Sequence, residues 1–514
     1  MNNFEIMKIL TKIEKDFPVN TWEVDGVHIW PLIRNGLSYN LFSLPTTDLV
    51  VSDSTSKCRI FKRGFSLIKQ NIDYIKTYIW DFRKNDKINN RQADVLFLNN
   101  TGCRRNLKDV WYDVFCDPII EKLNNEQISH FVLEWNNSKY RMPRNNKSKL
   151  IQPFIDYIRI KTKLIKKNKK YQCTLSGLEE FNKYLQSIDA RIELYTSEEL
   201  CREYHFLDEL ARRFSKDIKV LKPKIAFVSI YYTDVDLAFI LACKRNNVIT
   251  VDIQHGVQGR WQSAYGQWSN IPSNGYELLP DVFWNWSQVE FDAILEWSQS
   301  NGKHHPFVGG NLFLEQWLDQ SSAMIKHYDN IINVGLRNKQ TSKITVLYTS
   351  NYGKIPKYMI DVIKSSSDIF TWWIRIHPGM IEKMNIFEDD LKQEGLTDVE
   401  IQLPTTLPLP ALIRYCDVHI TAYSTVVLEA EKFGVASVVT DKSSTYRYGE
   451  QINSGVVIEE YEDGDLISAI KKQALHSKRL KNVIYTSYNR EEVNVIRNLF
   501  EVIEKIKDKS KKTI

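Results

Sequence analysis

The chain has 514 residues, of which 43% are hydrophobic and 26% charged, and a formal net charge of +6. That length exceeds what one core accommodates, so two or three domains are expected, and the composition excludes a disordered or membrane-embedded chain. So small an excess also disfavours a nucleic-acid binder; it is concentrated in IKTKLIKKNKKY (160–171) and KIKDKSKKTI (505–514), runs that solvate a surface or rest against anionic lipid.

In chain order, residues 1–90 hold helical patterns at Phe4 to Phe17 and roughly Phe61 to Phe82 around the aromatic segment VDGVHIWPLIRNGL, and read as a helical accessory region. From Ala93 the pattern changes. ADVLFLNNT, KIAFVSIYY (224–232) and NVITVDIQHG (247–256) are apolar runs of strand length, and the helically spaced DVDLAFILACKRN joins the last two into a β-α-β unit with a parallel sheet. Residues 91–330 are therefore expected to form a Rossmann-like domain with a helical insertion around 140–215. A second alternating series follows the polar stretch near 335–342. Its strands are KITVLYTS (343–350), FTWWIRI (370–376), VEIQL (399–403), DVHIT (417–421), ASVVTD (436–441) and GVVIE (455–459), which gives a second Rossmann-like domain over 340–485. A last helix, roughly Tyr488 to Lys507 within 486–514, is long enough to cross back onto the first domain. The expected fold class is α/β, two doubly wound domains facing each other across a cleft.

The cysteines Cys58, Cys103, Cys116, Cys173, Cys201, Cys243 and Cys416 are scattered, odd in number and never in C-x-x-C spacing, which argues against a zinc site or a disulfide framework and fits a reducing cytoplasm. The segment MNNFEIMKILTKIEKDF lacks a signal peptide's apolar core, and no run of about 18 apolar residues occurs. The expected location is the cytoplasm, at most the inner face of the cytoplasmic membrane.

Ligands of open α/β sheets bind beyond the carboxyl ends of the strands, so the loops there are where chemistry is sought. After FTWWIRI comes His377-Pro378-Gly379: the imidazole is suited to a phosphate, and Pro378 fixes the turn. After DVHIT come Ser424 and Thr425 at a helix start, where hydroxyls and unpaired N–H groups suit a phosphate, and Glu429 one turn on, within reach of ribose hydroxyls. Helix capping alone would account for one hydroxyl. After NVITVDI comes Gln254-His255-Gly256, where a neutral histidine can take a proton from an acceptor hydroxyl; Asp252 and Asp234 are reserve bases. The triplet Asp234-Val235-Asp236 matches a metal-binding D-x-D formally but opens a helix, where acidic residues are favoured without metal, so no metal is expected. Trp261, Tyr265, Trp268, Trp284 and Trp286 suit either sugar stacking or a core.

At these residues the sequence resembles the GT-B glycosyltransferases of bacterial surface-polysaccharide synthesis. His377-Pro378 and Ser424-Thr425 resemble the nucleotide-binding motifs of bacterial polysialyltransferases and related CMP-sugar transferases. His255-Gly256 resembles the loop of the teichoic-acid glycerophosphotransferases, whose histidine is the proposed base. Two departures accompany the likeness: the acidic catalytic motif is matched only by the distant Glu462-Asp463-Gly464, and the tryptophan before His-Gly is Gln254. The resemblance implies metal-independent transfer from a nucleotide-sugar, with CMP-sugars slightly favoured, to a polysaccharide or lipid-linked oligosaccharide hydroxyl of the capsule or lipopolysaccharide kind. Alditol-phosphate transfer, 2-epimerisation of a sugar nucleotide and a non-catalytic scaffold are the rivals.

Overall fold

The computed structural model describes residues 1–44, 92–136, 142–146, 148–164, 171–319, 321–337, 343–351, 353–487 and 494–511. The expected helix at Phe61 to Phe82 lies outside them. The chain divides into a first unit, Met1–Gly310 with Asn494–Ile514, and a second, Asn311–Val493.

In the first unit a capped helix, Asn3–Asp16, leads into a hairpin of β1 (Glu23–Val24) and β2 (Val27–His28). β1 also pairs with β8 (Cys173–Thr174), which lies far along the chain. The helix Trp30–Phe42 follows the hairpin. Apolar side chains of these elements, Leu10, Trp22, Trp30 and Leu37 among them, share one buried cluster with Leu96, Leu98 and Phe239. The amino-terminal segment thus builds the same core as the large sheet.

That sheet is parallel throughout. Its strands are β3 (Val95–Asn100), β6 (His130–Trp135), β7 (Lys149–Leu150), β9 (Ile225–Val228), β10 (Ile249–Ile253), β11 (Val282–Asn285) and β12 (His305–Val308). They are ordered β12-β11-β10-β9-β3-β6-β7. Counted along the chain this is 3-2-1-4-5-6-7, a doubly wound order that reverses between β3 and β9 and leaves a crevice at their carboxyl ends. A hairpin of β4 (Arg104–Leu107) and β5 (Val110–Asp113) sits beyond β3. The helix Asp234–Arg245 is buried from Val235 to Cys243, which explains its unbroken apolar run.

The second unit carries β13 (Ile344–Ser350), β14 (Phe370–Ile376), β15 (Val418–Thr421), β16 (Ser437–Val439) and β17 (Val457–Glu459), all parallel, in the order β14-β13-β15-β16-β17. Counted along the chain this is 2-1-3-4-5, the other common doubly wound order, with its reversal between β13 and β15. The fold class is therefore α/β, with a parallel Rossmann-like sheet in each unit.

One expectation is corrected. VEIQL is no strand: only Glu400 bridges to Trp373, and the chain turns into a short helix, Gln402–Thr406, because Pro404 has no N–H for a ladder. In the second unit, which starts at Asn311, Arg414 Nη1 pairs with Asp329 Oδ1 at 2.7 Å and ties the helix Ala323–Ile332 to the helix Leu409–Ile413. Cys173 and Cys201, 28 residues apart, bring their sulfurs together, whereas Cys103, Cys116, Cys243 and Cys416 are free and buried. The last helix, Val495–Lys511, belongs to the first unit, where Asn494 Nδ2 donates to Glu126 Oε1 at 2.7 Å. No helix among the described residues is long and apolar enough to cross a membrane.

Candidate functional site

In the second unit, the loops at the carboxyl edge hold the residues singled out for a nucleotide. His377 and Ser424 lie at the same edge of one sheet, beyond β14 and β15, with β13 between them. At about 4.8 Å per strand this sets their loops roughly 10 Å apart. His377 is exposed, and its Nδ1 accepts from the Gly379 N–H at 3.1 Å, so a neutral ring carries its proton on Nε2. Pro378 opens a short 3-10 helix, Pro378–Lys383. Ser424 Oγ accepts from the Val426 N–H at 3.4 Å, while Thr425 makes no side-chain cap bond. The helix they start, Val426–Lys432, has only seven residues, so its dipole is a minor attraction for an anion beside charged side chains. Glu429 is half-buried one turn into it.

The reversal point is pinned by Thr421, whose Oγ1 donates to the Thr349 carbonyl at 2.9 Å and to Asn351 Oδ1 at 3.1 Å. Beneath it His419 spans three strands, with Nε2 2.8 Å from Thr349 Oγ1 and Nδ1 2.9 Å from Ser437 Oγ; burial pushes this imidazole down to about 3. Next to the Ser424 loop stands a cation that sequence reading missed. The segment after β16 is clasped onto that loop by Ser444 Oγ, donating to the Ala422 carbonyl at 3.1 Å, and Tyr448 Oη, donating to the Ser424 carbonyl at 2.8 Å. Between those two anchors is Arg447, half-buried, its guanidinium carbon 5.2 Å from the centre of the Tyr423 ring. Its Nε is buried without a hydrogen-bond partner, and no carboxylate among the described residues forms an ion pair with it. An arginine next to the Ser424 loop, with no ion-pair partner among the described residues, is suited to an anion. Glu462, Asp463 and Gly464 are exposed past β17, at the far side of the sheet from β14.

The first unit's edge is built differently. His255, just past β10, is half-buried among the rings of Phe115, Tyr232 and Tyr265. Its Nε2 lies 3.1 Å from Tyr232 Oη, and Nδ1 is buried without a partner. Desolvation pushes the imidazole down to about 4, so it is neutral at pH 7. The base role expected of His255 needs a nitrogen facing the acceptor. Here Nε2 is engaged by Tyr232, and Nδ1 is buried without a partner.

Asp252 is fully buried and accepts from the Tyr231 N–H at 3.1 Å and Tyr265 Oη at 3.0 Å. Burial raises its pKa, and both bonds hold the loop in place. Asp234 pairs with Arg159 at 2.9 Å, and the Asp236 carboxylate accepts from the hydroxyl of the helix-capping Thr233, so the two carboxylates of the D-x-D serve different partners. Among the described residues no group of three or more His, Cys, Asp or Glu is placed to hold a metal. Gln254 closes the loop: its Nε2 donates to the Gly256 carbonyl at 2.9 Å and its Oε1 accepts from the Trp286 N–H at 2.6 Å. Tyr265, Trp268 and Trp284 are core residues, while Trp261, with Phe4 edge-on to its ring, and Trp286 are partly exposed.

No protein-family profile and no curated protein matches the chain. Solved structures do. The UDP-GlcNAc 2-epimerase from Neisseria meningitidis bound to UDP-GlcNAc is 14% identical, over 81% of this chain and 99% of that one, with a TM-score of 0.46. The wall teichoic acid polymerase TagF is 11% identical, over 88% of this chain and 98% of that one, with a TM-score of 0.45. The S. aureus MnaA–UDP co-structure is 13% identical, over 79% and 95%, with a TM-score of 0.44.

Proposed function

We propose that the chain is a GT-B type, metal-independent glycosyltransferase that moves a sugar from a nucleotide-sugar to a hydroxyl of a cell-surface polysaccharide or lipid-linked oligosaccharide. The observation that carries this reading is Arg447, a half-buried cation with no ion-pair partner among the described residues, on the segment that Ser444 and Tyr448 tie to the Ser424 loop and over the Tyr423 ring. In this reading Arg447, the two hydroxyls and His377 bind the phosphate, and Glu429 binds the ribose. As the sugar leaves, negative charge builds on the nucleotide, and a fixed guanidinium stabilises it more than it stabilises the intact donor. The first unit takes the acceptor with the His255 loop and Trp286. Cytidine is the preferred base through the His377-Pro378 and Ser424-Thr425 resemblance, and the work is assigned to the cytoplasmic face of the inner membrane.

Alditol-phosphate transfer is the second reading, favoured by the His255-Gly256 loop; it uses the same anion pocket and yields a phosphodiester instead of a glycoside.

Calorimetric titration with CMP, UDP and GDP tests the pocket. At least one is expected to bind, and Arg447→Ala is expected to weaken it by roughly 10- to 100-fold, the worth of a charge-assisted hydrogen bond. Failure of all three to bind the wild-type protein would remove the nucleotide reading.

A further inference from the structure

Among the described residues the imidazole of His255 has one hydrogen-bond partner, the Tyr232 hydroxyl, 3.1 Å from Nε2. Nδ1 has none and is buried. The carboxylates nearby are spoken for: Asp252 accepts from the Tyr231 N–H and the Tyr265 hydroxyl, Asp236 from the Thr233 hydroxyl. A histidine that takes a proton from substrate ordinarily has its far nitrogen held by a carboxylate or carbonyl, which fixes the tautomer and raises its basicity. His255 has no such support.

Two tautomers satisfy the Tyr232 contact. If the phenol donates to Nε2, the ring proton sits on Nδ1 and leaves a buried N–H with no acceptor, a rare and costly arrangement. If Nε2–H donates to the phenolic oxygen, the buried atom is a bare lone pair, the cheaper orphan. The second arrangement also leaves the Tyr232 hydrogen for another oxygen, and a phenol that accepts one bond donates the next more strongly. Tyr232 is half-buried in the loop that follows β9, one of the two strands between which the first sheet reverses, and Cys103 Sγ beyond β3 lies 3.9 Å from Ser229 Oγ in the same loop.

Building on the transferase reading, we propose that Tyr232 is an acceptor-binding residue: His255 Nε2–H donates to its oxygen, and the Tyr232 hydroxyl donates to an oxygen of a sugar or polyol. His255 is then a positioning residue. No proton changes owner in this arrangement; the bond orients the acceptor.

The test turns on glutamine, whose side-chain N–H can stand in for Nε2–H but which cannot take up a proton. Tyr232→Phe is expected to raise the acceptor KM about ten-fold, with kcat and nucleotide affinity little changed, and His255→Ala to behave alike, whereas His255→Gln stays within about three-fold of wild type. A His255→Gln enzyme whose kcat collapses as far as that of His255→Ala would overturn the proposal, because His255 would then be the proton carrier. A second readout needs no turnover. In 15N-histidine-labelled protein the His255 signal, assigned by its loss in His255→Gln, is expected to show the proton on Nε2; a proton on Nδ1 would overturn the proposal by itself. Wild-type protein that transfers nothing from any nucleotide-sugar would end the transferase reading while this tautomer measurement still decides the Tyr232–His255 arrangement.

Discussion

In the first unit the loops beyond the strands place rings at the edge, Phe115, Tyr232 and His255, while the carboxylates Asp252 and Asp236 are buried and bonded. In the second unit the corresponding loops carry hydroxyls and a cation, Ser424, Thr425 and Arg447, and are tied together by Ser444 and Tyr448, which donate to the Ala422 and Ser424 carbonyls. Both edges come from parallel sheets with a reversal of strand order, so topology gives each unit a crevice and side chains decide what enters it. Rings with a neutral imidazole suit an uncharged, hydroxyl-rich ligand with apolar faces; an arginine without a counter-ion suits an anion.

The strongest way to break that division is to damage one unit and watch the other. Glu14 is fully buried and accepts from Trp30 Nε1 at 2.9 Å, Arg34 Nε at 2.7 Å, and the N–H and Oγ of Ser269, both at 2.8 Å. Arg34 in turn donates to the Gly266 carbonyl at 3.0 Å, beside Tyr265. Glu14→Ala leaves a buried guanidinium uncompensated and is expected to cost about 3–5 kcal/mol. Hydrogen exchange should show the loss across β9 to β11, with β13 to β16 and nucleotide binding unaffected. Equal loss of protection in both sheets would mean that the units do not act separately.

Acid should act on both units alike. His304 in the first and His419 in the second are buried, and burial pushes each down to about 3. The unfolded chain, with histidine near 6.5, binds the protons that these folded sites refuse. Stability is therefore full above about pH 6.5 and falls as the pH drops toward 3, by about 2 kcal/mol per histidine at pH 5. Denaturant midpoints at pH 7 and 5, with probes in each unit, check this. A unit whose midpoint does not move has a histidine that titrates normally.

Much of this was legible in the residues. β3, β9, β10, β13 and β14 are continuous apolar runs, the mark of strands buried on both faces, and β15 to β17 alternate with helix and turn signals. β11 and β12 escaped notice because DVFWNW and HPFV look like aromatic loop, and the β1–β2 hairpin because its partner β8 is about 150 residues away. The loops of His377, Ser424 and His255 follow from strand ends alone. Arg447 and Tyr232 do not: one matters because no carboxylate among the described residues pairs with it, the other for the ring nitrogen it meets, and no spacing encodes either.

The smallest expected effect probes how the anion-suited edge is held from behind. Gly434 ends the short helix behind Ser424 with φ +69°, and a Cβ there would meet the backbone of Lys481 at 2.8 Å and of Leu480 at 3.0 Å, in the helix Leu466–Ser487. Gly434→Ala combines left-handed strain with a collision against main chain that cannot rotate away, for an expected cost of about 1–3 kcal/mol. Gly395, with φ +74° and nothing within 4 Å of its added Cβ, separates the two terms, because Gly395→Ala carries the strain alone. If the long helix braces the Ser424 loop, Gly434→Ala also weakens nucleotide binding by about two- to three-fold and Gly395→Ala leaves it alone. Equal destabilisation by the two alanines, with affinity intact in both, would show that the loop is held by the Ser444 and Tyr448 bonds and not by the helix behind it.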